Sequence, residues 1–247
     1  MSDRLETWRP AGEWRSGDRG VIDVWWCALT SSAESLAAKL AMLTAPELSR
    51  TARFRREVDR VAYVVVRATL RARLGACLGL APAAVPLTET ARGKPVLRGA
   101  GPRWECNVSH SGEIGLVAVA WDRPVGIDVE AHRANIAVRD LGQAFLSPRE
   151  HAALDLAPAD ERREWFFTVW TRKEAFLKAT GQGLSFPLEK FSVTVSPSEP
   201  PRIVEIEGEP DAEHRWRLWR IDAGPGYSAT LAAAASSSET VMVRGWK

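Results

Sequence analysis

The chain is expected to fold as an α+β protein built from two similar α/β halves. Short β-branched and aromatic runs alternate with Ala/Leu- or Arg-rich segments of helical period, and Gly and Pro punctuate the joints between them. The segment GVIDVW at 20–25 returns as VGIDVE at 125–130, each time followed by a proline-containing helix start and then a long helix. That echo predicts a tandem duplication with halves of about 105 residues. A composition of 45% hydrophobic and 26% charged residues over 247 positions suffices for a buried core and excludes disorder as the main state.

Residues 1–19 are polar and are expected to form a loosely held arm. Val21 to Leu29 suits a strand, and Ser31 to Leu43 a helix capped by its serines. After a turn at Thr44-Ala45-Pro46, the stretch Arg50 to Arg73 carries eight arginines against Glu57 and Asp59, interleaved with Val and Leu. It reads as one amphipathic helix with a basic face, stopping near Gly75 or Gly79. Val96-Leu97 is a short strand between turns at 91–95 and 99–102; Glu105 to Val108 and Ile114 to Trp121 are strands around a loop, Ser109-His110-Ser111-Gly112. Asp122-Arg123-Pro124 breaks the chain, giving an expected division into 1–19, 20–123 and 124–247. Beyond it, Gly126 to Glu130 is a strand, Ser147 caps a helix with Pro148 at its first position, and a longer helix from about Asp160 to Thr180 ends at Gly181. Four strands follow, at 191–195, 202–206, 216–221 and 227–234.

The N-terminus has no apolar segment of the signal-peptide kind, and the longest apolar run, Ile114 to Trp121, falls far short of the roughly 20 residues that span a bilayer, so a cytoplasmic protein without membrane attachment is expected. A net charge of +2 provides no long-range field for nucleic acid. Cys27, Cys77 and Cys106 are odd in number and never paired as C-x-x-C, which indicates neither a disulfide framework nor a thiolate zinc site.

Chemistry concentrates in four segments. Asp128 and Glu130 are two apart on a strand, so both carboxylates share one face; hard oxygens of this kind suit Mg²⁺, although a solvated pair at a strand end has the same pattern. Trp170, Glu174 and Lys178 share one helical face, where Glu174 is either an ion-pair partner of Lys178 or a third carboxylate for the same metal. The glycines in Gly181-Gln182-Gly183-Leu184 would let another segment approach the helix end. Asn107 to Gly112 offers backbone N–H and hydroxyl donors to a phosphate, and Arg92-Gly93-Lys94-Pro95 is either a hairpin turn or a basic contact.

In order along the chain, RGKPVL at 92–97, NVSHSG at 107–112, GIDVE at 126–130, FLSPRE at 145–150, WTRKEAFLKATGQGL at 170–184 and GYSATLAAA at 226–234 resemble the 4′-phosphopantetheinyl transferase family, of the longer, duplicated kind that modifies carrier proteins of polyketide, nonribosomal-peptide and fatty-acid synthesis. The resemblance spans roughly residues 20–235. It implies a pseudo-dimer of the two halves, with the active site in the cleft between them, where coenzyme A and Mg²⁺ bind. The phosphopantetheine arm would pass to a serine of an apo acyl or peptidyl carrier protein domain, releasing adenosine 3′,5′-bisphosphate. By the same resemblance, Asp128, Glu130 and Glu174 hold the metal, Glu174 accepts the serine proton directly or through a water, and Lys178 meets the charge developing on the pyrophosphate. Arg50, Arg92, Gly93, Lys94, Pro95, Asn107, Ser109 and His110, with Lys178, are the expected coenzyme A contacts. Two halves in one chain imply an active monomer. A Mg²⁺-dependent phosphohydrolase acting on a nucleotide-like pyrophosphate could use the same groups, and a nucleic-acid binder could use the Arg50 to Arg73 helix.

Overall fold

The structure is a computed structural model that describes residues 6–9, 20–99, 104–134, 142, 145–183, 186–235 and 240–246. The chain divides into two units, Met1–Arg123 with Ser238–Lys247, and Pro124–Ser237. Unit 1 contains β1 (Glu6–Arg9), β2 (Val21–Ala28), α1 (Ala33–Leu40), α2 (Ala45–Thr51), α3 (Glu57–Leu78), β3 (Leu87–Glu89), β4 (Pro95–Leu97), β5 (Trp104–Ser111) and β6 (Ile114–Trp121). β2 and β5 flank β6, both antiparallel to it, and one face of this sheet packs on α3 through Trp25, Cys27, Val66, Leu70, Leu74, Cys106 and Val117. The cysteines are free; Cys27 and Cys106 are buried, and burial pushes both thiols up to about 12.

Two expectations for unit 1 are corrected. The Arg50 to Arg73 stretch is not one helix: Thr44 and Glu47 form a capping box that starts α2 with Pro46 in its first turn, and the chain leaves helical geometry before α3 begins at Glu57. Nor is its polar face uniformly basic and solvated, since Arg67 and Arg71 are 8% and 1% exposed and turn inward onto carboxylates. The second correction concerns Ser109, His110 and Ser111, which belong to β5, paired with Leu116, Gly115 and Ile114; the turn is confined to the two residues that follow.

Unit 2 contains β7 (Val125–Ala131), α4 (Pro148–Asp155), α5 (Arg162–Thr180), β8 (Phe191–Val193), β9 (Ile203–Ile206), α6 (Ala212–Arg215), β10 (Trp216–Arg220) and β11 (Tyr227–Ala234). Its three-stranded sheet has the order β10-β11-β7, antiparallel throughout, and repeats the connectivity of unit 1: a strand, helices ending in a long one, then a hairpin whose second strand lies beside the first strand. Ser147 and Glu150 cap α4 reciprocally, as its Ser-Pro-x-Glu opening predicts. Glu150 does more than cap. It accepts from Ser147 N and Val193 N, both at 2.8 Å, and pairs with Lys173 Nζ at 2.5 Å; Lys173 also donates to Leu188 O and Phe145 O. The pair is 0% and 1% exposed, and it ties α4, α5 and β8 into one core with Phe166, Phe176 and Phe191.

One strand crosses the expected division. β12 (Thr240–Trp246) lies parallel to β2 in unit 1, and β1 lies parallel to β12, which gives the order β1-β12-β2-β6-β5. Residues 6–9 of the expected loose arm are therefore strand; the rest of 1–19 falls outside the described residues, as does Leu184.

The glycine that allows close approach is also not the one expected. A Cβ on Gly126 would stand 2.1 Å from Ala175 O and 2.3 Å from Ala179 N, so α5 lies directly on the β7 backbone. Gly181 has open space around it and serves instead as the left-handed cap of α5, at φ 73°. Gly126→Ala is expected to cost about 3 kcal/mol, because only a backbone shift relieves the clash. Gly181→Ala is expected to cost about 1 kcal/mol. Urea unfolding of the two variants checks the ranking.

Candidate active site

Because Gly126 faces α5, strand alternation turns Asp128, Glu130 and His132 to the same side and sends Ile127 and Val129, both 0% exposed, to the other. On α5, Glu174 and Lys178 are one turn apart on the facing side. Lys178 Nζ donates to Asp128 Oδ1 at 2.7 Å and to Ile127 O at 3.2 Å. The ion pair of this lysine therefore crosses from helix to strand instead of running along the helix to Glu174.

Glu174 Oε1 is buried and accepts no hydrogen bond from the described residues. Burial first, and then the negative charge of Asp128 with a smaller part from Glu130, push the Glu174 carboxyl up to about 7, against the opposing effect of Lys178. Glu130 is the more open carboxylate, its side chain 26% exposed with Arg133 Nη2 at 3.8 Å. Register places Thr230 beside Asp128 and Ser228 beside Glu130. Thr230 Oγ1 lies 3.1 Å from Thr171 Oγ1, and Ser228 Oγ lies 2.8 Å from Nε2 of His132, whose ring stacks on Phe167. Sequence reading singled out none of these four flanking residues. The signal was the S-A-T alternation at 228–230, which puts two hydroxyls on one strand face.

Among the described residues, no group of three or more His, Cys, Asp or Glu side chains is assembled so that it could hold a metal ion. What the seam does contain is a carboxylate donor set suited to a hard cation and, in Glu174, a buried oxygen without a hydrogen-bond donor.

The repeat in unit 1 keeps only one of the three acids. Asp23 lies 105 positions before Asp128, and the same offset sets Trp25 against Glu130, Thr69 against Glu174 and Arg73 against Lys178. The Arg73 guanidinium stacks over Trp25 at 3.8 Å.

Unit 1 instead brings Arg50, Gly93, Pro95 and His110 together around a cavity of about 160 Å³, with Tyr63, Arg67 and Glu89. The other expected coenzyme A contacts are not among its lining residues. Lys94 Nζ reaches to 3.9 Å from Glu105 Oε2, and burial pushes its ammonium below the usual range. Asn107 and Ser109 are buried on the face of β5 opposite His110, a consequence of strand alternation that a loop reading had hidden.

A family model described as the 4′-phosphopantetheinyl transferase superfamily matches residues 124–232, the part that holds the carboxylates. A second, described as 4′-phosphopantetheinyl transferase, N-terminal, matches residues 27–122. The 4′-phosphopantetheinyl transferase HetI of Nostoc sp. is 35% identical over 184 residues, covering 74% of this chain and 77% of that one. The chain belongs to the 4′-phosphopantetheinyl transferase superfamily. A Bacillus subtilis 4′-phosphopantetheinyl transferase is 30% identical over 195 residues, 79% of this chain and 84% of that one. Among solved structures, the Thermotoga maritima holo-[acyl-carrier-protein] synthase aligns with 46% of this transferase and 63% of its own chain, at 19% identity and a TM-score of 0.36.

The raised Glu174 carboxyl gives the transferase a stability signature. A carboxyl held at about 7 in the fold and near 4.5 when unfolded binds its proton more tightly in the fold, so its contribution is fully present below pH 4.5 and is lost as pH rises to about 7. Glu174→Gln, which mimics the protonated form, should match wild type near pH 4.5 and exceed it by roughly 2–3 kcal/mol at pH 8. Thermal unfolding in the presence of a chelator is the measurement.

Proposed function

We infer that this enzyme transfers the 4′-phosphopantetheine group of coenzyme A to a serine of an apo acyl or peptidyl carrier protein domain, giving the holo carrier protein and adenosine 3′,5′-bisphosphate. The observation that carries this reading is the α5–β7 seam, where a carboxyl at about 7 lies beside an Asp128–Lys178 pair in the part of the chain that matches the superfamily. Burial and the neighbouring Asp128 charge raise the proton affinity of the Glu174 carboxylate, which suits a general base. In the proposed step Glu174 accepts the serine proton as the serine oxygen bonds to the phosphorus nearer pantetheine. The bond from that phosphorus to the oxygen of the departing bisphosphate breaks, and Lys178 stabilises the charge that collects on the departing oxygens.

Mg²⁺ belongs to the proposal, with Asp128, Glu130 and Glu174 as its protein ligands; when bound it would neutralise charge on the pyrophosphate. The support is the donor chemistry and the burial and like-charge repulsion that together hold the Glu174 proton, the second of which a cation would relieve. The phosphates of coenzyme A are assigned to Arg50 and His110, which share a cavity with Gly93 and Pro95, and by family resemblance to Lys94 and Ser109; the same resemblance makes Arg92, Gly93, Pro95 and Asn107 further coenzyme A contacts. The pseudo-dimer comes from the family resemblance alone, and with it a monomer working in the cytoplasm. Carrier domains of polyketide, nonribosomal-peptide or fatty-acid synthesis are the acceptors this resemblance suggests. No helix among the described residues is long and apolar enough to cross a membrane.

Intact-mass analysis of an apo carrier domain incubated with the enzyme, coenzyme A and Mg²⁺ tests the reading. The domain should gain one phosphopantetheine, and coenzyme A should be consumed only when an acceptor is present. Consumption without acceptor would support a phosphohydrolase instead. Asp128→Ala and Glu174→Ala should each lower turnover by at least about a hundredfold, with Glu130→Ala less damaging because its carboxylate is the more solvated.

A further inference from the structure

The unit 1 cavity holds a carboxylate as well as cations. Glu89, the last residue of β3, accepts from Arg50 Nη1 through both oxygens, at 3.1 and 2.9 Å, and from Arg67 Nη2. A second glutamate, Glu47, takes Arg67 Nε at 3.3 Å and Arg71 Nε at 2.6 Å, and it also accepts from Thr44 N in the α2 cap. Glu47 is 11% exposed and committed to that cap, whereas Glu89 is 30% exposed on the cavity wall beside Arg50, itself 50% exposed. The Tyr63 ring lies under both guanidinium groups, 5.0 Å from that of Arg50 and 5.6 Å from that of Arg67, so the cations keep a support that does not depend on Glu89. Three arginines face two glutamates in this cluster. Neutralising Glu89 alone would double its net positive charge.

We propose that Glu89 occupies, in the free enzyme, the anion seat on Arg50, so that the incoming 3′-phosphate of coenzyme A must displace it and Glu89 thereby sets the affinity and charge selectivity of the seat. The proposal rests on the coenzyme A reading and adds to it a residue that opposes binding. A carboxylate and a phosphate competing for the same guanidinium repel each other at contact range, and in a half-buried, partly screened setting this is worth about a tenfold change in affinity. A purely structural role for Glu89 predicts the opposite sign, because loosening Arg50 would weaken binding.

The test is calorimetric titration of the full-length wild-type enzyme and its variants, at low ionic strength, with coenzyme A and with 3′-dephospho-coenzyme A. Glu89→Gln and Glu89→Ala should both bind coenzyme A about tenfold tighter and change by less than about threefold toward the dephospho form. Glu89→Asp, which keeps the charge, should stay within about threefold of wild type for both ligands. Equal or weaker binding of coenzyme A by the two neutral variants, with wild-type binding intact, overturns the role of Glu89 and leaves the proposed function standing. Failure of the wild type to bind coenzyme A overturns the function and this proposal together.

Discussion

The backbone contact of α5 with β7 at Gly126 is the constraint on which the chemistry of unit 2 depends. With no Cβ in the way, the helix comes close enough for Glu174 to lie among the strand carboxylates and for Lys178 to reach Asp128. Successive helical residues point about 100° apart, so the rotation of α5 decides whether Glu174 faces the sheet or the core. Lys173, the residue before it, fixes that rotation by burying its ammonium on Glu150 and two carbonyls. A buried ion pair contributes little net stability compared with an apolar pair, but breaking it strands a charge, which suits a device that enforces one orientation. Burial and, after it, repulsion from Asp128, both visible in the raised Glu174 carboxyl, are the local cost of laying this acid against the β7 carboxylates.

The two units repeat one connectivity and divide its chemistry. Where unit 2 carries Glu130, Glu174 and Lys178, unit 1 carries Trp25, Thr69 and Arg73, with the arginine spent on the tryptophan face. Unit 1 concentrates its charge elsewhere, in arginines of α2 and α3 that lean on Glu47 and Glu89. A shared scaffold with separately grafted sites accounts for both the echo in the sequence and its imperfection.

Features fixed by local chemistry were legible in the sequence. The period-two carboxylates of β7, the Ser147-Pro148 start of α4 and the Gly181 cap of α5 each depend on a few neighbouring residues, and each is where the pattern placed it. Features that depend on distant partners were not. Arg67 and Arg71 turn inward onto Glu47 and Glu89, and Arg71 also onto the carbonyls of Pro82 and Val85; nothing in a helical repeat announces those partners. Ser109 and His110 resemble a loop by composition, yet pairing with Leu116 and Gly115 extends the strand through them. β12 finds β2 across more than two hundred residues, beyond the reach of any periodicity, and the role of Gly126 appears only once α5 is seen to lie on it.

Carboxyl-carbon NMR titration of Glu174, in the wild type and in Asp128→Asn, tests the central claim most directly. If the seam couples the two acids, the Glu174 signal titrates near 7 in metal-free wild type, moves clearly down when Asp128 loses its charge, and ionises at lower pH when Mg²⁺ is added. A Glu174 carboxyl that titrates near 4.5 and responds to neither change would contradict the account.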